Sequence, residues 1–241
     1  MLPAVNCPEF KLERQMAPLV CEWLQNAHLT VKSEFSLPWG ICDFVGISLN
    51  LNNVRKRLSL KQTRPIGPMQ RVELLQHIPD QDTGCAISLE ELERAYMKGT
   101  ASRLVKTEVD KLIADRFVSK TSSGSLQKLN GWMPLQKRIV AVELKLARVS
   151  DVICQAAANR AFATESYVAL PWQLAHRHAK GARASEFLDA GVGVVAVAER
   201  GCRVVLRPST VGIHTDPILQ AHCVERFWRS RGSSTSAALQ L

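Results

Sequence analysis

The sequence predicts an α/β chain in which a mixed central sheet flanked by helices is interrupted by an inserted helical module. Three observations lead there. Short runs of β-formers alternate with segments of helical periodicity in both the first quarter and the last two fifths of the chain. The stretch from Pro68 to Met133 departs from that alternation, and most of the net positive charge lies in the middle third. At 241 residues, 46% hydrophobic and 22% charged, the chain has the composition of a folded protein with a sizeable core, which disfavours disorder, coiled coil and fibre.

Residues 8–28 repeat apolar side chains at Met16, Leu19, Val20, Trp23 and Leu24, the spacing of a helix that buries one side, and Pro18 predicts a kink in it. LTVKSEFSL and GICDFVGISL flank Pro38-Trp39-Gly40 and predict an antiparallel hairpin. Beyond the Asn-Asn pair, VRKRLSLKQ reads as a continuation of the sheet, which TRPIGP then ends.

QRVELLQHI predicts a short amphipathic helix, and Ser88 followed by Glu91 in ISLEELERAY predicts a second helix opened by a capping box. After MKGT, the segment ASRLVKTEVDKLIAD gathers Val105, Val109, Leu112 and Ile113 on one face and Arg103, Lys106, Thr107 and Lys111 on the other. FVSKTSSGSLQKL adds two short β runs about a Ser-Gly turn. Three helices and a hairpin in that order resemble a winged helix-turn-helix module, expected over residues 63–133.

RIVAVELKLARV, residues 138–149, predicts a buried strand with Val140, Val142, Leu144 and Leu146 on one face and Glu143 and Lys145 on the other. There follow SDVICQAAANRAFATE as a helix capped by Ser150, YVALP as a strand ended by Pro171, LAHRHAKGARASEFLDA as one helix, and GVVAVAERGCRVVLRP as a hairpin turning at Arg200-Gly201. Residues 231–241 are expected to be a loose tail. A discontinuous core is thus expected over 1–62 and 134–230.

Several chemistries are disfavoured. No apolar run is long enough to span a bilayer, and MLPAVNCPEFKLERQ lacks the basic-then-apolar order of a leader, so an unprocessed cytoplasmic protein is expected. Seven scattered cysteines without a Cys-x-x-Cys read as reduced thiols and not as zinc ligands. His176 and His178 stand two apart on a predicted helix and point away from each other, and His214 and His222 lack a partner at ligand spacing. There is no phosphate-cradling Gly-x-x-x-x-Gly-Lys loop and no nucleophile elbow, and GVGVV precedes a strand where a dinucleotide loop would precede a helix.

The two charges set into the strand need partners, because an unpaired carboxylate or ammonium taken out of water costs several kcal/mol. A surface ion pair meets that need, and so does a metal site. Glu-x-Lys is weak by itself, since about one Asp/Glu-x-Lys match is expected by chance at this composition. It gains weight from Asp43, the lone carboxylate in the apolar strand GICDFVGISL. Helix, strand, Asp-bearing strand, Glu-x-Lys strand, helix and short strand, in that order, resemble the PD-(D/E)xK nuclease superfamily with its restriction-endonuclease-like fold.

The resemblance covers residues 8–52 and 138–207, with Cys42 where the family's proline would stand. It implies a metal-dependent DNA endonuclease with Asp43, Glu143 and Lys145 as catalytic residues. Mg²⁺ or Mn²⁺ would be held by Asp43, Glu143 and the Leu144 carbonyl. Gln155 matches a glutamine that many members place beside the active site. Glu13 matches a first-helix acid of some relatives, and a partly buried structural glutamate is the alternative; Glu34 is expected to be solvated. Many members dimerise, which makes a homodimer an expected assembly.

The charge supports a polyanionic partner, expected to be double-stranded DNA. Residues 53–138 hold 16 Lys and Arg against 9 Asp and Glu, which accounts for most of the net +9. In the DNA-binding reading the helix over residues 100–114 enters the major groove, Arg103, Lys106 and Lys111 supply its cations, and Lys120 and Lys128 on the wing touch the backbone. Such modules also serve as protein contacts. A non-catalytic DNA-binding or regulatory protein on a nuclease-like scaffold is the alternative function.

Overall fold

The computed structural model describes residues 10–96, 102–129, 133–209 and 215–228. The expected MKGT loop, His214 and the tail at 231–241 lie outside the described residues. In chain order the elements are α1 (Ala17–Asn26), β1 (Thr30–Leu37), β2 (Gly40–Leu49), α2 (Leu51–Ser59), α3 (Met69–His77), α4 (Leu89–Tyr96) and α5 (Ser102–Ala114). These are followed by β3 (Val118–Lys120), β4 (Leu126–Lys128), β5 (Gln136–Leu144), α6 (Val149–Asn159), β6 (Glu165–Pro171), α7 (Trp172–Lys180), α8 (Ala184–Asp189), β7 (Gly193–Ala198), β8 (Gly201–Leu206) and α9 (Pro217–Glu225).

The chain divides into two units, one of residues 1–48 and 138–216, the other of residues 49–137 and 217–241. These differ from the sequence-based bounds in three places: residues 49–62, residues 134–137 and the segment from 217 onward are counted with the second unit.

The first unit is a mixed six-stranded sheet, β1-β2-β5-β6-β7-β8, flanked by helices. Hairpins at each end are antiparallel, while β5, β6 and β7 run parallel, Val142 opposite Tyr167 and Val168 opposite Val194. Alternation along the strands builds two cores. Val140, Val142, Leu144, Tyr167 and Val195 pack with Val20 and Leu24 of α1 and with Met16 just before it. Val168, Leu170, Val194 and Ala196 pack with α6, Ala175 of α7 and Phe187 of α8. Among the described residues no helix is long and apolar enough to cross a membrane.

Three local expectations for this unit are corrected. Pro18 does not kink a long helix; it occupies the first turn of α1, where its missing N–H has no partner to lose. α6 begins at Val149 after Arg148, whose φ of 54° turns the chain, so Ser150 lies inside the helix and caps nothing. The single helix expected over 174–190 is two, broken after Lys180 by the extended Gly181. A Cβ at Gly181 would come within 2.8 Å of the Arg177 carbonyl.

The second unit packs α3, α4 and α5 with the ribbon β3–β4 around Val72, Leu75, Leu92, Val105, Val109, Leu112, Phe117 and Leu126. The capping box forms as expected: the Ser88 N–H donates to Glu91 Oε2 (2.9 Å) and the Glu91 N–H to Ser88 Oγ (3.1 Å). VRKRLSLKQ is not a strand. Asn50 caps α2 through its side chain, which accepts from the Asn52 and Asn53 N–H groups, and Val54 and Arg57 are buried at helical spacing. Arg57 forms a two-pronged ion pair with Glu225 of α9, donates to the Gln62 and Arg64 carbonyls, and lies 4.0 Å from the Trp228 ring centre.

Candidate functional site

Glu143 and Asp43 stand on the neighbouring strands β5 and β2. Hydrogen bonding joins them across the ladder: Asp43 Oδ2 accepts the Leu144 N–H at 2.7 Å. Strand β5 ends at Leu144, and Lys145 extends the ladder by donating its N–H to the Ala169 carbonyl of β6 (3.1 Å). Its Nζ lies 3.4 Å from Glu13 Oε1, and that same oxygen accepts the Leu146 N–H. Asp43, Glu13 and the Glu143–Lys145 pair therefore come from three well-separated points of the chain to one region of the first unit.

The aim of Asp43 follows from an irregularity in the hairpin. Cys42 Sγ lies 3.5 Å from Asn159 Nδ2 on the α6 side of the sheet, whereas Phe44 belongs to the core on the α1 side. Residues two apart in a regular strand share a face, so the alternation slips at Asp43. Opposite it, Glu34 has φ 49°, and the paired register passes from Ser33↔Phe44 to Phe35↔Cys42 without a partner for Asp43. The register is the same on both sides, so no residue is inserted, and the local turn of the two strands carries Asp43 toward the backbone of β5. Glu34 is exposed, as expected, and with Glu13, Arg14, Asp43 and Leu144 it lines an open groove of about 520 Å³.

Glu143 is buried, 5% exposed, on the α6 side. Asn159 Nδ2 donates to its Oε1 at 2.6 Å, and the exposed Trp39 donates its ring N–H to Asn159 Oδ1 at 3.4 Å. Burial and then the charge of Asp43 push the Glu143 carboxyl up to about 7, against the pull of Asn159, which favours the ionised form. Asp43 is also raised, by burial first and by Glu13, with the Leu144 N–H and Lys145 opposing. Burial and the charge of Glu143 hold the Cys42 thiol well above its usual value, so it is a neutral neighbour.

Gln155 is exposed on α6, and the amide that touches Glu143 is Asn159, one turn further along. The spacing signal was available: positions 155 and 159 share a helix face, but only the packing of α6 on β5 decides which one reaches the carboxylate. Cys42 backs the same acid.

The donor chemistry, carboxylates and a backbone carbonyl, fits a hard divalent cation. Among the described residues, no group of three His, Cys, Asp or Glu side chains is gathered as a metal-holding cluster. The reason is visible in the hydrogen bonds: Glu143 is directed to Asn159 and Asp43 to the Leu144 N–H.

In the second unit Arg103, Lys106, Lys111 and Lys120 are exposed, with Lys111 paired to Glu108 at 2.7 Å. Lys128 is a correction: it is 4% exposed and ion-paired with Asp80 at 3.2 Å, so it supports the base of the ribbon and does not project from it. The charge follows the division of the chain, with 18 Lys and Arg against 10 Asp and Glu in the second unit and 13 against 12 in the first. Comparisons with protein-family models, curated proteins and solved structures give no match.

Proposed function

We propose that the chain is a metal-dependent DNA endonuclease, with Asp43, Glu143 and Lys145 as catalytic residues in a restriction-endonuclease-like unit and a winged-helix second unit that binds the duplex. The observation that carries this reading is the pair of carboxylates on adjacent strands, Asp43 and Glu143, each desolvated and close enough for the charge of one to raise the proton affinity of the other. A hairpin followed by the parallel pair β5 and β6, with α6 between them, is the order that the resemblance implies.

Mg²⁺ or Mn²⁺, when bound, supplies a Lewis acid for the scissile phosphate and lowers the pKa of the attacking water. Asp43 and Glu143 would hold it, with the Leu144 carbonyl and Glu13 as further oxygen donors. Lys145 offsets negative charge developing on the phosphate. Asn159 orients Glu143 and favours its ionised state. The basic charge of the second unit draws in the DNA, with Arg103, Lys106, Lys111 and Lys120 as its exposed contacts.

Purified protein incubated with supercoiled, linear and branched DNA in Mg²⁺ or Mn²⁺ tests the reading. Cleavage is expected, and Asp43→Ala and Lys145→Ala are expected to abolish it; cutting that survives in both variants overturns the assignment. The burial of Glu143 and the absence of a gathered metal cluster among the described residues favour a second reading, a DNA-binding protein that does not cut. Salt-sensitive duplex binding without cleavage of any substrate would establish that one instead.

A further inference from the structure

The first unit is nearly neutral as a whole, yet its cations are not evenly spread. Trp172, His176 and Lys180 recur every four residues along α7 and so share one side of it, the Trp172 and His176 ring centres 4.5 Å apart. Arg177 and Lys180 are exposed, and Arg183, at the start of α8, is 41% exposed. Arg203 on β8 is exposed and stands opposite Ala196, a residue of the core beneath α7 and α8, so it rises on the same face of the sheet.

Both histidines register this concentration of charge. His176 is held below its ordinary value by burial and then by Lys180 and Arg203; His178 is lowered by burial and then by Arg183 and Arg177, with Glu186 opposing. Of the acids on these elements, Glu186 reaches Arg183 only at 4.0 Å, while Asp189 and Glu199 are exposed. Among the described residues, Arg177, Lys180 and Arg203 have no carboxylate at ion-pair distance. Cations in the last turn of a helix complement its dipole, which accounts for Arg177 and Lys180. That does not account for Arg203, which is on a strand, or for Arg183, which opens the next helix.

The cluster also has a direction. α7 starts directly after β6, whose Ala169 carbonyl takes the Lys145 N–H, so the helix begins at the same end of the sheet as Glu143 and Lys145 and carries Arg177 and Lys180 about 8–12 Å along from it. Strand β8 is three strands from β5, about 15 Å at the usual strand spacing. A duplex presents a charge every ~1.7 Å of its axis, so one molecule covers that distance with phosphates to spare.

We propose that α7, the start of α8 and β8 form a second nucleic-acid contact, on the first unit itself, in which Arg177, Lys180 and Arg203 bind backbone phosphates without regard to sequence and lead the strand toward the carboxyl edge of β5. The destination of the strand rests on the nuclease reading; the contact requires only a polyanion.

The test uses the full chain, a fluorescent 30-base-pair duplex and EDTA, with binding followed by anisotropy across a salt series. Lys180→Ala/Arg203→Ala is expected to weaken binding roughly tenfold and to lower the salt slope by about 2, with an unchanged thermal midpoint because both side chains are exposed. Arg177→Gln is expected to lower the slope by about 1. Unchanged affinity and slope in both variants overturn the proposal, as does absence of binding by the unaltered chain. A defect that appears with anionic lipid vesicles and not with the duplex overturns it too. Binding that depends on these residues in a chain that never cuts DNA leaves this proposal standing and removes the nuclease; cutting with unaltered binding in both variants does the reverse.

Discussion

Asn159 and Glu143 form a 2.6 Å hydrogen bond between α6 and β5, both residues almost wholly buried. The amide donates to the carboxylate and so offsets part of the cost of burying its charge. Removing the donor leaves that cost uncompensated. Asn159→Ala is expected to destabilise the first unit by about 1–3 kcal/mol and to raise the titration of Glu143 further. Chemical denaturation and carboxyl NMR measure the two effects separately; a Glu143 titration that stays put would show that the bond does not tune the acid.

A carboxyl whose affinity for its proton rises on folding contributes its stability at low pH and loses it as the pH rises from its unfolded value through its folded one. For Glu143 that window runs from about 4.5 to about 7. Glu143→Gln keeps an acceptor for Asn159 and removes the titration. The variant is expected to gain up to about 3 kcal/mol on the unaltered chain between pH 4.5 and pH 8, with parallel stability profiles above that. Melting curves of both proteins across this range provide the check.

If the carboxylates hold a divalent cation, ligand binding to the folded state raises the melting midpoint by mass action. At pH 8, millimolar Mn²⁺ is expected to stabilise the unaltered chain and to leave Asp43→Asn and Glu143→Gln where they were. Equal shifts in all three proteins would assign the cation to another place.

Glu34 holds a left-handed backbone that non-glycine residues adopt at a cost of order 1 kcal/mol. Glu34→Gly is expected to stabilise the protein by about 0.5–1 kcal/mol while keeping the slip that aims Asp43. A lower midpoint would mean that the exposed carboxylate, and not the backbone, matters at this position.

Lys128 and Arg57 separate support from binding. Lys128→Met is expected to lower stability by about 1–3 kcal/mol and to leave duplex affinity unchanged, since the ammonium is buried against Asp80. Arg57→Ala strands the buried Glu225 and is expected to cost about 3–5 kcal/mol, with hydrogen exchange quickening in the second unit. The Arg57→Met/Glu225→Leu pair is expected to recover most of that loss.

The strands of the first unit were legible because their alternation and their turns agree: Pro38-Trp39-Gly40 and Arg200-Gly201 both close hairpins. The segment VRKRLSLKQ was not, because its apolar spacing suits strand and helix alike until the cap supplied by Asn50 decides it. Asp43, Glu143 and Lys145 could be singled out as charges set into apolar runs, of which Glu143 is buried and the other two are half-buried. Asn159 could not, since its partner is chosen by how one helix seats on one strand. Lys128 was misread for a related cause: alternation in a three-residue strand says nothing of the loop at Asp80 that covers one side.

The chain enters the first unit, leaves it for residues 49–137, returns, and leaves again, so that the Asp43–Leu144 bond spans 101 positions and the Arg57–Glu225 pair spans 168. On a ribosome adding about 5–20 residues per second, hairpin β1–β2 must wait roughly 5–20 s for the strand that pairs with β2. Throughout that wait the nascent molecule displays an unpaired apolar edge containing Val45 and Ile47. Efficient synthesis of this protein therefore calls for shielding of that edge, as by a holding chaperone, until β5 has emerged.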